Sequence, residues 1–224
     1  MYTTVIGALP GDPRLETALA SIFGQTLAPS HVEVITDAVH NIPQEWSAGL
    51  QAQFKNLKFH TQSDAGLAAA IRTGIVRAKT NYVAFLDCDD VWLPEKQALQ
   101  INALESYPEA DVATGLAANI IQDSSGHDRT LRVGVTSLFT ASTFRCDTFD
   151  RYGLPDSDAG HYGWLYRWWA NARAMGIRTH EVQYLGLERH IHGENSWITG
   201  NQQAHENLFS ELRQIVHSKR KTSE

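Results

Sequence analysis

The residues most suited to chemistry are three aspartates, Asp87, Asp89 and Asp90, which fall within four positions after the apolar segment 81–86. Carboxylates this close raise one another's pKa and destabilise the fold unless a positive charge compensates. A divalent cation such as Mg²⁺ or Mn²⁺ supplies that charge, because it binds one or two carboxylates together with water and substrate phosphates. The cluster therefore predicts a metal site for a phosphorylated ligand, and the alternative is a simple turn, for which aspartates are also suited.

The composition restricts the partners of the chain. It has 224 residues, of which 42% are hydrophobic, and a formal net charge of −6. This length fits one domain with a sizeable core. The acidic balance argues against a nucleic-acid partner, because phosphate backbones are bound by basic surfaces. An anionic substrate remains compatible with it if a divalent cation mediates the contact.

The cysteines and the apolar segments bear on location. Cys88 and Cys146 are the two cysteines and form no disulfide framework, so we expect a reducing cytoplasm. No window reaches the roughly 18 to 20 apolar residues that span a bilayer, and residues 1–6 lack the start of a signal peptide. We expect no transmembrane segment, and peripheral membrane contact stays open through the short basic tail 217–221. The sequence gives no indication of oligomeric state.

Apolar periodicity in the first half alternates between strands and helices. Strands are predicted at 3–9, 31–36, 56–60, 81–86 and 110–115, and helices near Asp12, near Ser63 or Asp64, and near Pro94. This alternation predicts an α/β fold with a mostly parallel sheet flanked by helices, Rossmann-like in its first half. In such sheets ligands collect at the carboxyl ends of the strands, which is where the aspartates stand.

The second half has a different pattern, and Asp111, at the start of a strand, is expected to be structural. Extended segments are predicted at 129–135 and 138–145, a helix at 161–175, a strand at 179–187, a loop at 189–197 and a closing helix beyond it.

The segment 85–96, Phe-Leu-Asp-Cys-Asp-Asp-Val-Trp-Leu-Pro-Glu-Lys, resembles the signature of family 2 glycosyltransferases, in which Asp-x-Asp ends a strand and Trp-x-Pro follows. Segment 19–26 is similar to the first helix of that family. The resemblance implies a GT-A fold and inverting, metal-assisted transfer of a sugar from a nucleoside diphosphate sugar to a hydroxyl acceptor. From the resemblance together with the change of pattern along the chain, we predict a single domain, 1–224, with a nucleotide-sugar half at about 1–117, an acceptor half at about 118–200, and a C-terminal helix and tail at about 201–224.

The resemblance assigns roles in the donor site. Asp37 ends the second strand, where the family places an aspartate on the nucleobase. Asp87 is expected near the ribose and Asp89 as the direct metal ligand. The loop at Gly66 and the following Arg72 are expected beneath the nucleotide, with Arg72 on the base or the phosphates. The alternatives are a strand-ending residue for Asp37 and a surface position for Arg72.

The segment 187–196 resembles the Arg-x-His-x-x-Asn-x-Ser loop that follows the last strand in this family. The resemblance implies that this loop closes over the diphosphate, with His192 as a further metal ligand and Arg189 as a phosphate contact. Imidazole joins oxygen ligands around Mn²⁺, and guanidinium pairs with phosphate. The alternative is a polar surface loop, and His190 is given no role.

The catalytic base departs from the family. An inverting transferase needs a group that takes the proton of the acceptor hydroxyl, and the family usually provides it from a Glu-Asp pair before a helix. If Arg167 takes the arginine position of the family, Gly160-His161 stands in place of that pair. We predict His161 as the base, because an imidazole with a pKa of about 6.5 accepts protons at neutral pH. Asp158, or less favourably Asp156, is the alternative.

Two other functions and one other use of the aromatic residues stay open. A protein that binds a nucleotide or a glycan without transfer would explain the missing pair. A nucleotidyltransferase is disfavoured because its loop after the first strand needs a basic residue, and 7–12 contains none. Trp164, Trp168 and Trp169 are predicted to form a buried helix stripe rather than an acceptor platform.

Overall fold

The computed structural model describes residues 1–37, 39–122, 128–156 and 160–192, and at 122 and 160–162 it describes the backbone alone. None of the helices in these ranges is long and apolar enough to cross a bilayer. The elements in chain order are β1 Tyr2–Gly7, α1 Leu15–Phe23, β2 His31–Thr36, α2 Gln44–Gln53, β3 Leu57–Thr61, α3 Leu67–Arg77, β4 Tyr82–Asp87, β5 Val91–Trp92, α4 Lys96–Ser106, β6 Val112–Gln122, β7 Asp128–Val135, a 3-10 turn Phe139–Ala141, β8 Ser142–Arg145, α5 Thr148–Tyr152, α6 Gly160–Ala174 and β9 Thr179–Ile191.

The strands form one sheet in the order β3-β2-β1-β4-β8-β6-β9-β5, and β7 pairs with β6. The pairs from β3 to β4 are parallel, as expected from the alternation of strands and helices. Beyond β4 the sheet is mixed, because β8 runs antiparallel to both β4 and β6, while β6 and β9 are parallel. β7 follows β6 after the short connection 123–127, and β8 runs in the same direction as β7, so both strands are antiparallel to β6.

The register of the parallel strands brings their carboxyl ends to one edge. Asp87, the last residue of β4, pairs with Gly7, which also pairs with Ile35 of β2. Thr36 pairs in turn with Thr61, the last residue of β3. Residues that follow these strands therefore meet at this edge, which we call the carboxyl edge.

Helices cover both faces of the sheet. On one face, α1 packs Leu15, Leu19 and Ile22 against strand residues that include Ile6. On the other face, α3 and α6 pack against strand residues that include Val5, Val83 and Phe85. The alternation of Val5 and Ile6 between the two cores follows from the two-residue period of a strand.

The tryptophans of α6 belong to the second core, as predicted. Trp164, Trp168 and Trp169 are 5%, 4% and 3% exposed, and all three rings lie near Phe139. The indole N–H of Trp168 donates to the carbonyl of Gly153 at 2.8 Å. Replacement of one of these rings by alanine typically costs about 3–5 kcal/mol, so the stripe fixes α6 on the sheet.

Asp111 has the structural role that was expected of it. Its buried carboxylate accepts the backbone N–H of Arg178 at 2.8 Å and the hydroxyl of Tyr152 at 2.9 Å. It also pairs with Arg151 at 2.7 Å. Asp111 therefore joins α5 to the start of β9.

One expectation about the elements needs correction. The last strand was expected to end at Leu187, but β9 continues to Ile191, because Ile121 of the longer β6 pairs with Ile191. At the start of α3, Leu67 is 37% exposed, and the buried face of this helix is made by 68–71 and Gly74. The closing helix expected beyond 197 lies outside the described residues.

Candidate active site

The three aspartates lie together at the carboxyl edge. The backbone N–H of Asp90 donates to the carbonyl of Asp87 at 3.1 Å, and this turn gathers the side chains. One carboxylate oxygen from each of Asp87, Asp89 and Asp90 lies within 4.8 Å of the others. Burial, followed by the charge of Asp89, raises the pKa of Asp87 to about 6, against a lowering effect of Arg189. Such crowded oxygen donors fit a hard divalent cation.

The strand β9 runs beside this turn because β5, which follows the aspartates, pairs with it. Val91 lies opposite Glu188 in this antiparallel pair. The backbone N–H of His190 donates to Oδ1 of Asp90 at 3.0 Å, and Nε of Arg189 lies 3.9 Å from Oδ2 of the same residue. Asp90 is 3% exposed, so its carboxylate anchors β9 to the motif.

His192 lies directly against the cluster. Its Nε2 atom is 2.9 Å from Oδ2 of Asp89 and 2.9 Å from Nη1 of Arg14. One ring nitrogen either carries a proton or offers a lone pair, so it donates to Asp89 in one state and accepts from Arg14 in the other. In the second state its lone pair can bind a cation in place of Arg14. The imidazole and the carboxylates together form a donor set that suits Mn²⁺ or Mg²⁺.

Arg14 is fixed by a two-pronged contact with Asp12. Its Nε atom donates to Oδ1 at 2.9 Å and its Nη2 atom donates to Oδ2 at 2.8 Å. These hydrogen bonds lower the pKa of Asp12 and outweigh the opposite effect of burial. Sequence reasoning missed this pair as part of the site. No local pattern points to it, because Arg14 and His192 are 178 positions apart.

Asp37 and Gly66 lie near the same edge. Asp37 follows β2 directly, and its Oδ1 atom accepts the backbone N–H of His40 at 3.0 Å. Although burial works in the opposite direction, hydrogen bonds from His40 lower the pKa of Asp37. Gly66 precedes α3 with a φ of 95°, a conformation that favours glycine. A Cβ built on Gly7 would lie 3.4 Å from Leu67, so the first turn of α3 lies against the end of β1.

Arg72 lies on α3, after the Gly66 turn. It lines a cleft of about 590 Å³ together with Glu33, Lys58, His60 and Asp64. The cleft extends from Glu33 and Lys58, within β2 and β3, to Asp64, which follows β3. The assignment of Arg72 to the base or the phosphates stays a prediction.

Of the candidate bases, His161 is the one that belongs to α6. His161 belongs to its first turn, but its side chain and the whole of Asp158 lie outside the described residues. Asp156 is exposed and pairs with Nη1 of Arg167 at 3.0 Å. The assignment of the base to His161, or to Asp158 in its place, stays a prediction.

Comparison with known proteins decides the family. Residues 6–167 match the family model described as Glycosyl transferase family 2. The chain belongs to this family. The match includes the aspartate cluster and the beginning of α6, so the resemblance seen in segment 85–96 is confirmed.

Two curated relatives of this family 2 member are named for the biosynthesis of succinoglycan and of amylovoran. The succinoglycan biosynthesis protein ExoW of Rhizobium meliloti is 38% identical over 113 residues, which cover 49% of this chain and 34% of ExoW. The amylovoran biosynthesis glycosyltransferase AmsE of Erwinia amylovora is 31% identical over 129 residues, which cover 55% of this chain and 46% of AmsE. The matches therefore span less than half the length of either relative.

Solved structures confirm the GT-A type of α/β fold. TarS of S. aureus superposes with a TM-score of 0.69 at 13% identity, covering 96% of this chain and 38% of TarS. Residues 1–349 of TarS in complex with UDP give a TM-score of 0.70 at 12% identity, covering 96% of this chain and 64% of that one. The same fragment has been solved with UDP-GlcNAc, at a TM-score of 0.65 and 14% identity.

Proposed function

We propose that the protein transfers a sugar, with inversion, from a nucleoside diphosphate sugar to a hydroxyl group of an acceptor, with assistance from Mn²⁺ or Mg²⁺. The observation that carries this proposal is the cluster of Asp87, Asp89 and His192 at the carboxyl edge, where α/β sheets bind their ligands. Family membership supports transfer. The complexes of TarS with UDP and UDP-GlcNAc support a donor of this class.

The donor residues divide between the nucleoside and the diphosphate. Asp37 binds the nucleobase and Asp87 the ribose, with the Gly66 turn and Arg72 beneath them. Asp89 and His192 hold the cation, which when bound neutralises the charge of the leaving diphosphate. The Nε atom of Arg189 is 3.9 Å from Oδ2 of Asp90, and the other N–H groups of its guanidinium contact a phosphate.

The transfer step needs a base on the acceptor side. His161, or in its place Asp158, takes the proton of the acceptor hydroxyl while the oxygen attacks the anomeric carbon. The bond from that carbon to the phosphate oxygen breaks on the opposite face, which inverts the configuration. Helix α6 carries His161 and is fixed to the sheet by its three buried tryptophans.

The division of labour along the chain follows from these assignments. We propose one domain over 1–224, with the donor half at about 1–117, the acceptor half at about 118–200 and a C-terminal helix and tail at about 201–224. A reducing cytoplasm is the proposed location, since Cys88 and Cys146 are both free thiols.

A thermal-shift experiment tests donor binding. UDP, GDP and ADP are added with and without Mn²⁺, and one of them is expected to raise the Tm by about 5–10 °C at 100 times its Kd, with the metal present. Asp89→Asn removes a metal ligand and is expected to remove the metal-dependent part of this rise. If no nucleoside diphosphate raises the Tm in the presence of Mn²⁺, the proposed function is wrong. A rise with nucleoside triphosphates alone favours a nucleotidyltransferase.

A protein that binds a nucleotide without transfer is the second candidate. Gly160-His161 in place of the Glu-Asp pair of the family favours it. The two candidates are separated by an assay for free sugar released from sugar donors that contain the nucleoside diphosphate with the largest rise in Tm. Wild-type turnover that is lost in His161→Ala supports transfer with His161 as the base, turnover lost only in Asp158→Ala moves the base there, and no turnover in any form supports the binding protein.

A further inference from the structure

A second cleft, of about 400 Å³, lies between the sheet and α6. Its lining includes Asn119, Arg132, Leu165, Tyr166, Arg173 and Arg189. Arg189 also contacts Asp90 of the aspartate cluster, so this cleft begins at the proposed donor site. We call it the arginine cleft.

The floor of the arginine cleft is a row of side chains across three strands. Asn119 of β6 pairs with Arg132 of β7 on one side and with Arg189 of β9 on the other. Directly paired residues of neighbouring strands project from the same face of a sheet. Arg132 and Arg189 are therefore about 10 Å apart at the backbone, which is two strand spacings. The row leads outward from the donor site.

One face of α6 forms the wall. Leu165, Trp169 and Arg173 recur every four residues and all line the cleft. Nη2 of Arg173 donates to Oγ of Ser137 at 2.9 Å, and its guanidinium lies 5.3 Å from the ring centre of Trp169. These contacts hold the charge of Arg173 at the cleft. Tyr166, on the same wall, is 47% exposed and offers its ring to a ligand.

The charge of the lining has one sign. Of the described residues that line the arginine cleft, three are arginines and none is a carboxylate, although the whole chain has a net charge of −6. Among the described residues, neither Arg132 nor Arg173 has a carboxylate within ion-pair distance. Planar guanidinium groups bind carboxylates and phosphates through paired hydrogen bonds. This arrangement selects an anion over a neutral sugar.

We propose that the arginine cleft binds the acceptor, and that this acceptor is a saccharide bearing a carboxylate or a phosphate. Arg132 and Arg173 hold the anionic group, and Tyr166 stacks on a sugar ring closer to the donor. The anionic group thus sits about two strand spacings from Arg189 and sets which hydroxyl faces the donor. The inference rests on the proposed function, since it places the acceptor beside the proposed donor site.

Three small probes test the proposal without knowledge of the full acceptor. Methyl β-glucuronide, glucose 6-phosphate and neutral methyl β-glucoside are titrated into the protein with UDP and Mn²⁺ present, and the Kd values are read from ¹H–¹⁵N spectra. Wild type is expected to bind at least one anionic probe about tenfold more tightly than the neutral one. The double variant Arg132→Gln/Arg173→Gln is expected to lose that preference. Arg129→Gln, an exposed arginine of β7 outside the cleft, is the matched control and should keep it.

Each outcome supports or overturns the proposal. A preference for the glucuronide identifies a carboxylate and a preference for the sugar phosphate identifies a phosphate, and either supports it. Equal affinity for all three probes, no binding of any probe, or a preference that survives in the double variant overturns it. Stabilisation by UDP with Mn²⁺ should be the same in wild type and double variant, and its absence in both contradicts the proposed function instead.

Discussion

Nε2 of His192 lies 2.9 Å from Oδ2 of Asp89, although 103 positions separate the two residues. The contact exists because β9 runs beside the turn that follows β4, where the N–H of His190 is bound by Asp90 at 3.0 Å. The segments 85–96 and 187–196 thereby supply donor atoms to the same proposed metal site. The proposed metal site depends on this pairing as much as on the aspartates.

Removal of the imidazole tests this relationship. His192→Ala is expected to lower the affinity for Mn²⁺ in the presence of a nucleoside diphosphate by at least about tenfold. Even residues behind the direct ligands contribute that much to metal affinity. Mn²⁺ titrations at fixed UDP, followed by calorimetry, measure the change. His190→Ala is the matched control, since Asp90 uses the backbone N–H of His190, which alanine keeps. Equal Mn²⁺ affinity in wild type and His192→Ala would remove His192 from the site.

The pair of Arg14 and Asp12 is expected to contribute to stability. Arg14→Met leaves the carboxylate of Asp12, whose side chain is 5% exposed, without its charged partner. We expect a loss of about 1–3 kcal/mol in the free energy of unfolding, measured with urea at pH 7. Asp12→Asn combined with Arg14→Met should cost less than the sum of the single changes. Strict additivity would show that the two side chains do not interact in solution.

Lys96 predicts a pH dependence of stability. Its side chain is fully buried, with Nζ 3.1 Å from Oε1 of Gln100 and 4.2 Å from the ring centre of Trp92. Burial lowers the pKa of Lys96 well below its usual range. Between this lowered pKa and about 10.4 the unfolded chain holds one more proton than the folded one, so stability rises with pH there.

Within that window the slope is up to about 1.4 kcal/mol of unfolding free energy per pH unit. Lys96→Met is expected to remove this slope and to raise stability at pH 7. Urea denaturation at pH 6 to 10 measures the effect. Lys55→Met changes an exposed lysine and serves as the control. A variant with the slope of wild type would mean that Lys96 keeps its proton in the folded state.

Gly74 is required by the close approach of α3 to β1. A Cβ at this position would lie 2.1 Å from Cγ1 of Val5, so one of the two elements must move. Gly74→Ala is therefore expected to lower the free energy of unfolding by about 1–3 kcal/mol. Gly49, exposed on α2 with nothing within 4 Å of its Cβ, is the control, and Gly49→Ala should stabilise the protein by about 0.5–1 kcal/mol. Equal effects of the two changes would contradict the close packing.

Local signals were sufficient to predict the four parallel strands β1 to β4. The apolar run before Asp87 and the turn residues after it place the aspartates at a strand end, and β2 matches its prediction residue for residue. Helix α2 was missed because Leu50 is its only buried residue, which leaves no apolar period to detect. A helix is predicted from the regular spacing of its buried apolar residues rather than from its helix propensity.

The parts of the site that could not be predicted depend on distant pairing. The continuation of β9 to Ile191 results from its partner Ile121, and nothing in 187–191 itself marks a strand over a loop. The contact of Arg14 with His192 and the row from Arg132 to Arg189 arise in the same way. Such contacts are selected by the assembled sheet, so a reading of neighbouring residues does not reveal them.

The bond between Asp90 and His190 has a consequence for the order of folding. It closes a loop of 100 residues, and contacts between such distant residues repay their entropic cost only after much of the chain is ordered. The first 110 residues can build their parallel strands early, but the edge that carries the proposed cation site is finished only when β9 arrives. A newly synthesised chain would therefore acquire affinity for a nucleoside diphosphate late, and binding would stabilise only molecules that have completed the whole sheet.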